Sequence, residues 1–261
     1  MKWEISDELW EKIKPLIPKP IDNHPLGRHR QRVPNRDAMN AILFVLRTGC
    51  QWNALNVTGI CSSSSAHRRF QEWTKAGVFE EFWKRGLLKY DDIKGINWKW
   101  LSLDGAITKS PLAGKKTGKN PVDRSKIGVK RSLLTEASGI PLAIEIDGAN
   151  RHDVKLVRKT IEKIIVKNKG ENLCVDLGYR GDEVDQLAKE FGFILHRSSH
   201  TKNVKKDARK KARRWAVERT HSWLNKFRGI LIRWCKKSEN YIAMLQLACG
   251  LITWRATGLL G

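Results

Sequence analysis

The chain has 261 residues, is 41% hydrophobic with 11 tryptophans, and carries 50 Lys+Arg against 27 Asp+Glu. That apolar content excludes a disordered chain, and a net charge of +23 repels itself unless a polyanion offsets it, which points to nucleic acid. The basic residues are spread along the chain rather than gathered on one amphipathic helix, which disfavours a membrane surface, and five cysteines with no Cys-x2-Cys pair disfavour a disulfide framework or a zinc site.

The opening stretch "MKWEISDELW" has no apolar signal-peptide core, and the apolar run "AILFVL" (41–46) is too short to cross a bilayer. A protein of the reducing cytosol is the expectation. The first ninety or so residues read as helical. In "ISDELWEKIKPLIP" (5–18) Leu9, Ile13, Leu16 and Ile17 share a stripe, with Ser6 as N-cap and Pro18 as stop. "RDAMNAILFVLRTGC" (36–50) predicts a buried helix ending at Gly49, and "SSSSAHRRFQEWTKAG" (62–77) a serine-capped helix ending at another glycine. Two helices joined by a short turn, the second opening with His67, Arg68 and Arg69, have the outline of a helix-turn-helix, though many helical bundles share it.

The pattern changes near Lys94–Gly95. "WKWLSLDGAI" (98–107) alternates and ends in Asp-Gly, followed by the loop "KSPLAGKKTGKNPVDRSK" (109–126). Strands are expected over 128–137, 140–149, 172–178 and 191–197, and helices over 153–167, 182–191, 205–236 and 239–256. The order β-β-β-α-β-α-β-α-α is that of a mixed α/β domain. The expected division is a helical DNA-binding domain over 1–95 and a catalytic domain over 96–261.

Three acids carry the chemistry. Asp104 and Asp176 each end an apolar run just before a glycine or a Leu-Gly. Alone, either is usually a turn starter. Two of them on neighbouring strands invite Mg²⁺, which takes carboxylate oxygens and keeps several waters. Glu218 is the single acid between Asp207 and Glu239, among 11 lysines and arginines. On a helix over 213–236 it points away from the apolar face of Ala216, Trp223, Leu224, Phe227, Ile230, Leu231 and Trp234. An exposed pair with Arg214 contributes only ~0.3–0.5 kcal/mol, which hardly accounts for keeping one acid there; a third metal carboxylate does. Glu145 and Asp147, expected on the solvent face of an edge hairpin, are reserve candidates. "GKKTGKN" (114–120) lacks the spacing of a P-loop, and no serine sits in a Gly-x-Ser-x-Gly context.

Asp104 in "LSLDG", Asp176 in "CVDLGYRG" and Glu218 in "RWAVERTHSWLNKFRGILIR" stand in the order and context of DDE transposases. The chain resembles the bacterial insertion-sequence transposases of family five, a group related to the Harbinger-type elements, over nearly its whole length. The resemblance implies an RNase H-like core, with Asp104 on the first strand, Asp176 just past the fourth and Glu218 on a late helix. It also implies two Mg²⁺ or Mn²⁺ ions held by these three residues, cleavage and strand transfer at element ends, and a homodimer on DNA. The broader pattern Tyr-x2-Arg-x3-Glu-x6-Lys is met by Arg214 and Glu218, but Lys211 stands for the Tyr and Asn225 for the Lys, with Lys226 one residue later. Candidate DNA contacts are His67, Arg68 and Arg69, then Lys115, Lys116, Lys119, Arg124 and Lys126 in the basic loop, and Arg214 and Lys226 beside Glu218. The rival readings are a DNA-binding regulator that has lost activity and a stand-alone nuclease of the same fold.

Overall fold

Residues 4–19, 31–166, 171–197 and 215–259 are described by a computed structural model of the chain. Four helices come first: α1 (Asp7–Ile13), α2 (Asn35–Thr48), α3 (Ser63–Lys75) and α4 (Val78–Lys94). Their ends follow local chemistry. The Ser6 hydroxyl accepts from the Leu9 N–H and that of Ser62 from the Ser65 N–H, satisfying donors that a helix start leaves open. α2 stops at Gly49, at φ 70°. A Cβ there would sit 2.9 Å from the Arg228 carbonyl oxygen, so glycine serves both the left-handed turn and a close approach. The α2–α3 connection is longer than the expected short turn, because it holds a 3-10 segment over Trp52–Val57.

The sheet follows, with β1 (Trp100–Lys109), the two-residue β2 (Gly118–Lys119), β3 (Ile127–Glu136), β4 (Pro141–Gly148), β5 (Asn172–Val175) and β6 (Ile194–Arg197). Its order is β4-β3-β1-β5-β6, with β2 also paired to β3. β1, β3 and β4 are antiparallel neighbours, while β5 and β6 run parallel to β1. Numbering the five longer strands in sequence gives 3-2-1-4-5, the RNase H-like order that the resemblance implies. α5 (Val154–Glu162) and α6 (Asp182–Phe191) lie between the parallel strands in sequence, and α7 (Trp215–Asn225) and α8 (Ser238–Ala256) complete the chain.

Two expectations about local structure are corrected. β1 does not turn at Asp104-Gly105 but continues to Lys109. The glycine is there because Asp153 packs against the strand: a Cβ on Gly105 would lie 2.3 Å from the Asp153 Oδ1. The expected helix over 205–236 falls outside the described residues up to 214, and its remainder ends at Asn225. A 3-10 turn, Arg228–Ile230, replaces it, and Gly229 packs so tightly on α2 that a Cβ would sit 2.7 Å from the Val45 carbonyl oxygen. Leu231 and Trp234, placed on the apolar face by a continuous helix, are consequently exposed.

The helical region and the sheet share one hydrophobic core. α4 and α8 pack closely, with the Trp254 indole N–H donating to the Phe82 carbonyl at 3.0 Å, and the Trp83 indole N–H reaching the Pro141 carbonyl at the head of β4.

Candidate active site

Side chains alternate across a strand, so register decides which face of the sheet each acid joins. Asp104 pairs with Leu133, and Ala106 with Arg131, so Asp104 and Arg131 point to the same face. α7 covers that face. Its buried His221 brings Nε2 to 4.0 Å from the Asp104 Oδ2, and its last residue, Asn225, accepts from the Arg131 guanidinium at 3.3 Å. The other face belongs to α5, where the Ser132 hydroxyl meets that of Thr160 at 2.8 Å.

β1 and β5 are parallel neighbours with Ser102 opposite Cys174. Two residues further along each strand direction stand Asp104, midway along β1, and Asp176, just past the end of β5, so the register carries the two carboxylates to adjacent positions. Asp176 begins the turn after β5, its Oδ1 accepting from the Leu177 N–H and its carbonyl from the Tyr179 N–H. Arg197 ties this turn down, donating to the Tyr179 carbonyl and to Asp185. Glu218 is exposed on the first turn of α7, three residues before His221. It therefore lies one turn along the helix from the residue that meets Asp104.

Among the described residues no three His, Cys, Asp or Glu side chains converge closely enough to hold an ion. The donor chemistry nonetheless fits a hard dication. Asp104 and Asp176 are half-buried oxygen donors on one sheet end, and an exposed glutamate stands on the helix crossing that end.

The reserve candidates are corrected. Glu145 pairs with Ser132 and so faces α5, opposite to Asp104. It is 3% exposed rather than solvated, gripped by Lys116 at 2.7 Å and Lys163 at 2.5 Å. Burial pushes its carboxyl upward, but the two lysines and the Ile146 N–H outweigh that and leave it below the ordinary value. Asp147 shares that face and meets Lys159 at 3.5 Å.

Of the candidate DNA contacts, Arg69 is not on the surface. It is 7% exposed, donates to the Val33 carbonyl at 2.9 Å and meets Glu72 at 3.6 Å, so it fastens α3 to the segment before α2. Arg68 and His67 are exposed, the imidazole packing edge-on against Trp52. Lys119, Arg124 and Lys126 are exposed in the basic loop, Lys115 meets Glu239, and Lys116 is committed to Glu145. Lys226 is exposed just beyond α7, whereas Arg214 lies outside the described residues.

Two residues of the site escaped the sequence reading. His221 is 9% exposed, and burial first, then the charge of Arg131, push its pKa down to about 4, against a smaller upward pull from Asp104. Arg131 is 3% exposed in mid-strand. The spacing Glu-x2-His was a usable signal for His221, since three residues separate neighbours on a helix surface. Nothing local distinguishes Arg131 from its exposed-looking neighbours.

Two family models match the chain on either side of residue 95. The family model "Transposase DDE domain" matches residues 101–252, and "Putative transposase of IS4/5 family" matches residues 5–83. The "Putative transposase for insertion sequence element IS402" of Burkholderia cepacia is 34% identical over 151 residues, covering 53% of this chain and 69% of that protein. The "Insertion element IS402 uncharacterized 16.2 kDa protein" of the same organism is 35% identical over 118 residues, covering 45% of this chain and 80% of that protein. Among solved structures, the Mos1 strand transfer complex aligns over 90% of this chain and 82% of its own, at 10% identity and a TM-score of 0.28. With a catalytic-domain model spanning 101–252 and an IS4/5 model over the helices before it, the chain belongs to the DDE-domain transposases of the IS4/5 group.

Proposed function

We propose that this chain cuts DNA at the ends of an insertion element and joins those ends to target DNA, with Asp104, Asp176 and Glu218 as the metal-holding carboxylates. One observation carries the reading. The β1–β5 register sets Asp104 beside Asp176, while His221 brings α7, the helix of Glu218, to 4.0 Å from Asp104. Two Mg²⁺ or Mn²⁺ ions, when bound, would supply activation of the attacking oxygen and stabilisation of the leaving one.

The protein's own part is to position and to neutralise. Asp104 and Asp176 gather negative charge at a sheet end held rigid by backbone pairing, and Arg131 anchors α7 through Asn225. The attacking oxygen comes from water in cutting and from a DNA 3′-hydroxyl in joining, so no side chain forms a covalent intermediate. Exposed cations of the basic loop and of the end of α7, including Lys119, Arg124, Lys126 and Lys226, face phosphates. Two element ends cut together need two protomers, so the working unit on DNA is a homodimer.

The test is cleavage of a labelled duplex carrying the element's ends, with and without Mn²⁺. Asp104→Ala and Asp176→Ala should each abolish cutting and keep DNA binding. Cutting at near wild-type rates by either variant removes that residue from the site. Cutting without strand transfer would make the protein a nuclease, and binding without cutting in the unmutated protein a regulator.

A further inference from the structure

A cleft of about 1050 Å³ opens where the ends of α2, α7 and α8 meet, on the far side of Asn225 from Glu218. Four cations line it, Arg47, Lys226, Arg228 and Arg255, and among the described residues no acid does. Apart from Thr48 and Asn225 the rest of its wall is apolar, with Trp223 and Leu231 both partly exposed. The Arg219 guanidinium lies 4.8 Å from the Trp223 ring centroid and holds the indole in place on the helix. Burial, and after it the nearby charge of Arg255, holds Arg47 below its ordinary value.

Resting on the reading of this chain as a DNA-cutting transposase, we infer that the cleft seats an unpaired nucleotide of the DNA strand, its base against Trp223 and its phosphates between Arg228, Lys226 and Arg255. The argument is one of complementarity. A paired duplex shows phosphates and groove edges but no free base face, so it would match the cations and leave the aromatic and aliphatic wall unused. An unstacked base matches both at once, and such stacking tolerates any sequence. The cleft is also in reach of the chemistry. Asn225, on its lip, is seven residues and hence about 10 Å along α7 from Glu218. A nucleotide held here would engage α2, α7 and α8 together, joining the amino-terminal helices to the helix that crosses the carboxylates.

The inference is tested by binding alone, with the full chain, no metal, and two probes: a labelled oligothymidylate of about five nucleotides and a blunt duplex of unrelated sequence. Trp223→Ala should weaken oligothymidylate binding by roughly tenfold or more, the usual loss for one stacked base, and duplex binding by less than about threefold. Ala256→Trp, which fills the cleft while keeping the cations, should do the same, so the result does not hang on one truncation. Equal losses on both probes would reduce the residues to phosphate contacts and overturn the inference. So would unchanged oligothymidylate affinity in both variants, or no oligothymidylate binding by the unmutated chain. A change in sedimentation with unchanged affinity would assign the cleft to a second copy of the chain and equally overturn it. Because no cleavage is read, a chain that binds the oligothymidylate but never cuts would sink the proposed function and leave this site standing.

Discussion

Glu218 is where an ordinary helix acid and a metal ligand make opposite predictions. As a ligand, Glu218→Gln keeps shape and hydrogen bonding but removes the charge that holds an ion. Cleavage in Mg²⁺ should fall by orders of magnitude, with partial recovery in Mn²⁺, which binds such ligands more tightly. Because the residue is exposed, stability should change by less than about 1 kcal/mol. Wild-type cutting rates would leave it a surface acid. His221 predicts a pH effect on the metal-free protein. Its folded pKa of about 4 lies below the ordinary 6.5, so the unfolded chain takes up the proton first. Stability is therefore full above pH 6.5 and declines as pH falls towards 4, by up to roughly 3 kcal/mol. His221→Gln should flatten the urea midpoint between pH 7 and 4.5; an unchanged slope would show that His221 is not the source. The adjacent arginines of α3 also separate. Arg69→Ala should cost about 1–3 kcal/mol by stranding the Val33 carbonyl, while Glu72 keeps its pair with Arg32, whereas Arg68→Ala should leave urea stability alone.

At the scale of elements, what positions the candidate site is a register and a helix crossing. Three residue pairs between β1 and β5 are enough to align Asp104 with Asp176, and a slip of one residue would turn either aspartate to the opposite face. α7 is then fixed by contacts on both sides: Arg131 and Asp104 from the sheet, and the 3-10 turn pressed on α2 beyond it. The α4–α8 contact is the second joint. A Cβ on Gly250 would lie 2.6 Å from a Phe82 ring carbon, and one on Gly86 would lie 3.0 Å from the Trp254 indole. Gly250→Leu should therefore destabilise by about 1–3 kcal/mol or more, despite leucine's better helix propensity. Tryptophan fluorescence and circular dichroism should report the same urea midpoint, because the helices and the sheet share one core. Separate midpoints would show that the two parts unfold independently.

At the scale of the molecule the net charge of +23 dominates. If six or more phosphates are neutralised on binding, affinity should fall by ~10³-fold or more between 50 and 200 mM salt. A nearly flat salt dependence, measured by fluorescence anisotropy on a duplex, would remove nucleic acid as the main partner. No described helix is long and apolar enough to cross a membrane. The two family models fall on either side of residue 95, over the helices and over the sheet, yet Trp83 and Trp254 stitch those regions together through single hydrogen bonds in a continuous core.

Many element boundaries are legible in the residues alone, because caps, glycine stops and hydrophobic period act within a few residues: Ser6 and Ser62 start helices and Gly49 ends one where their chemistry requires it. It also nominated Asp104, Asp176 and Glu218, since acids closing apolar runs or standing alone among cations are conspicuous without any fold. Which side chains meet depends instead on how distant segments pack. Glu145 and Asp104 look alike in an alternating pattern, but strand pairing sends one to the lysines under α5 and the other to His221. Arg68 and Arg69 are neighbours in sequence, yet the rotation of about 100° between consecutive helix residues exposes the first and buries the second. The helix through Glu218 has the apolar period to continue past Asn225, but the surface of α2 accepts a tight 3-10 turn there instead, and that turn forms one wall of the cleft. Each of these outcomes depends on a partner far away along the chain, and no local rule carries that information.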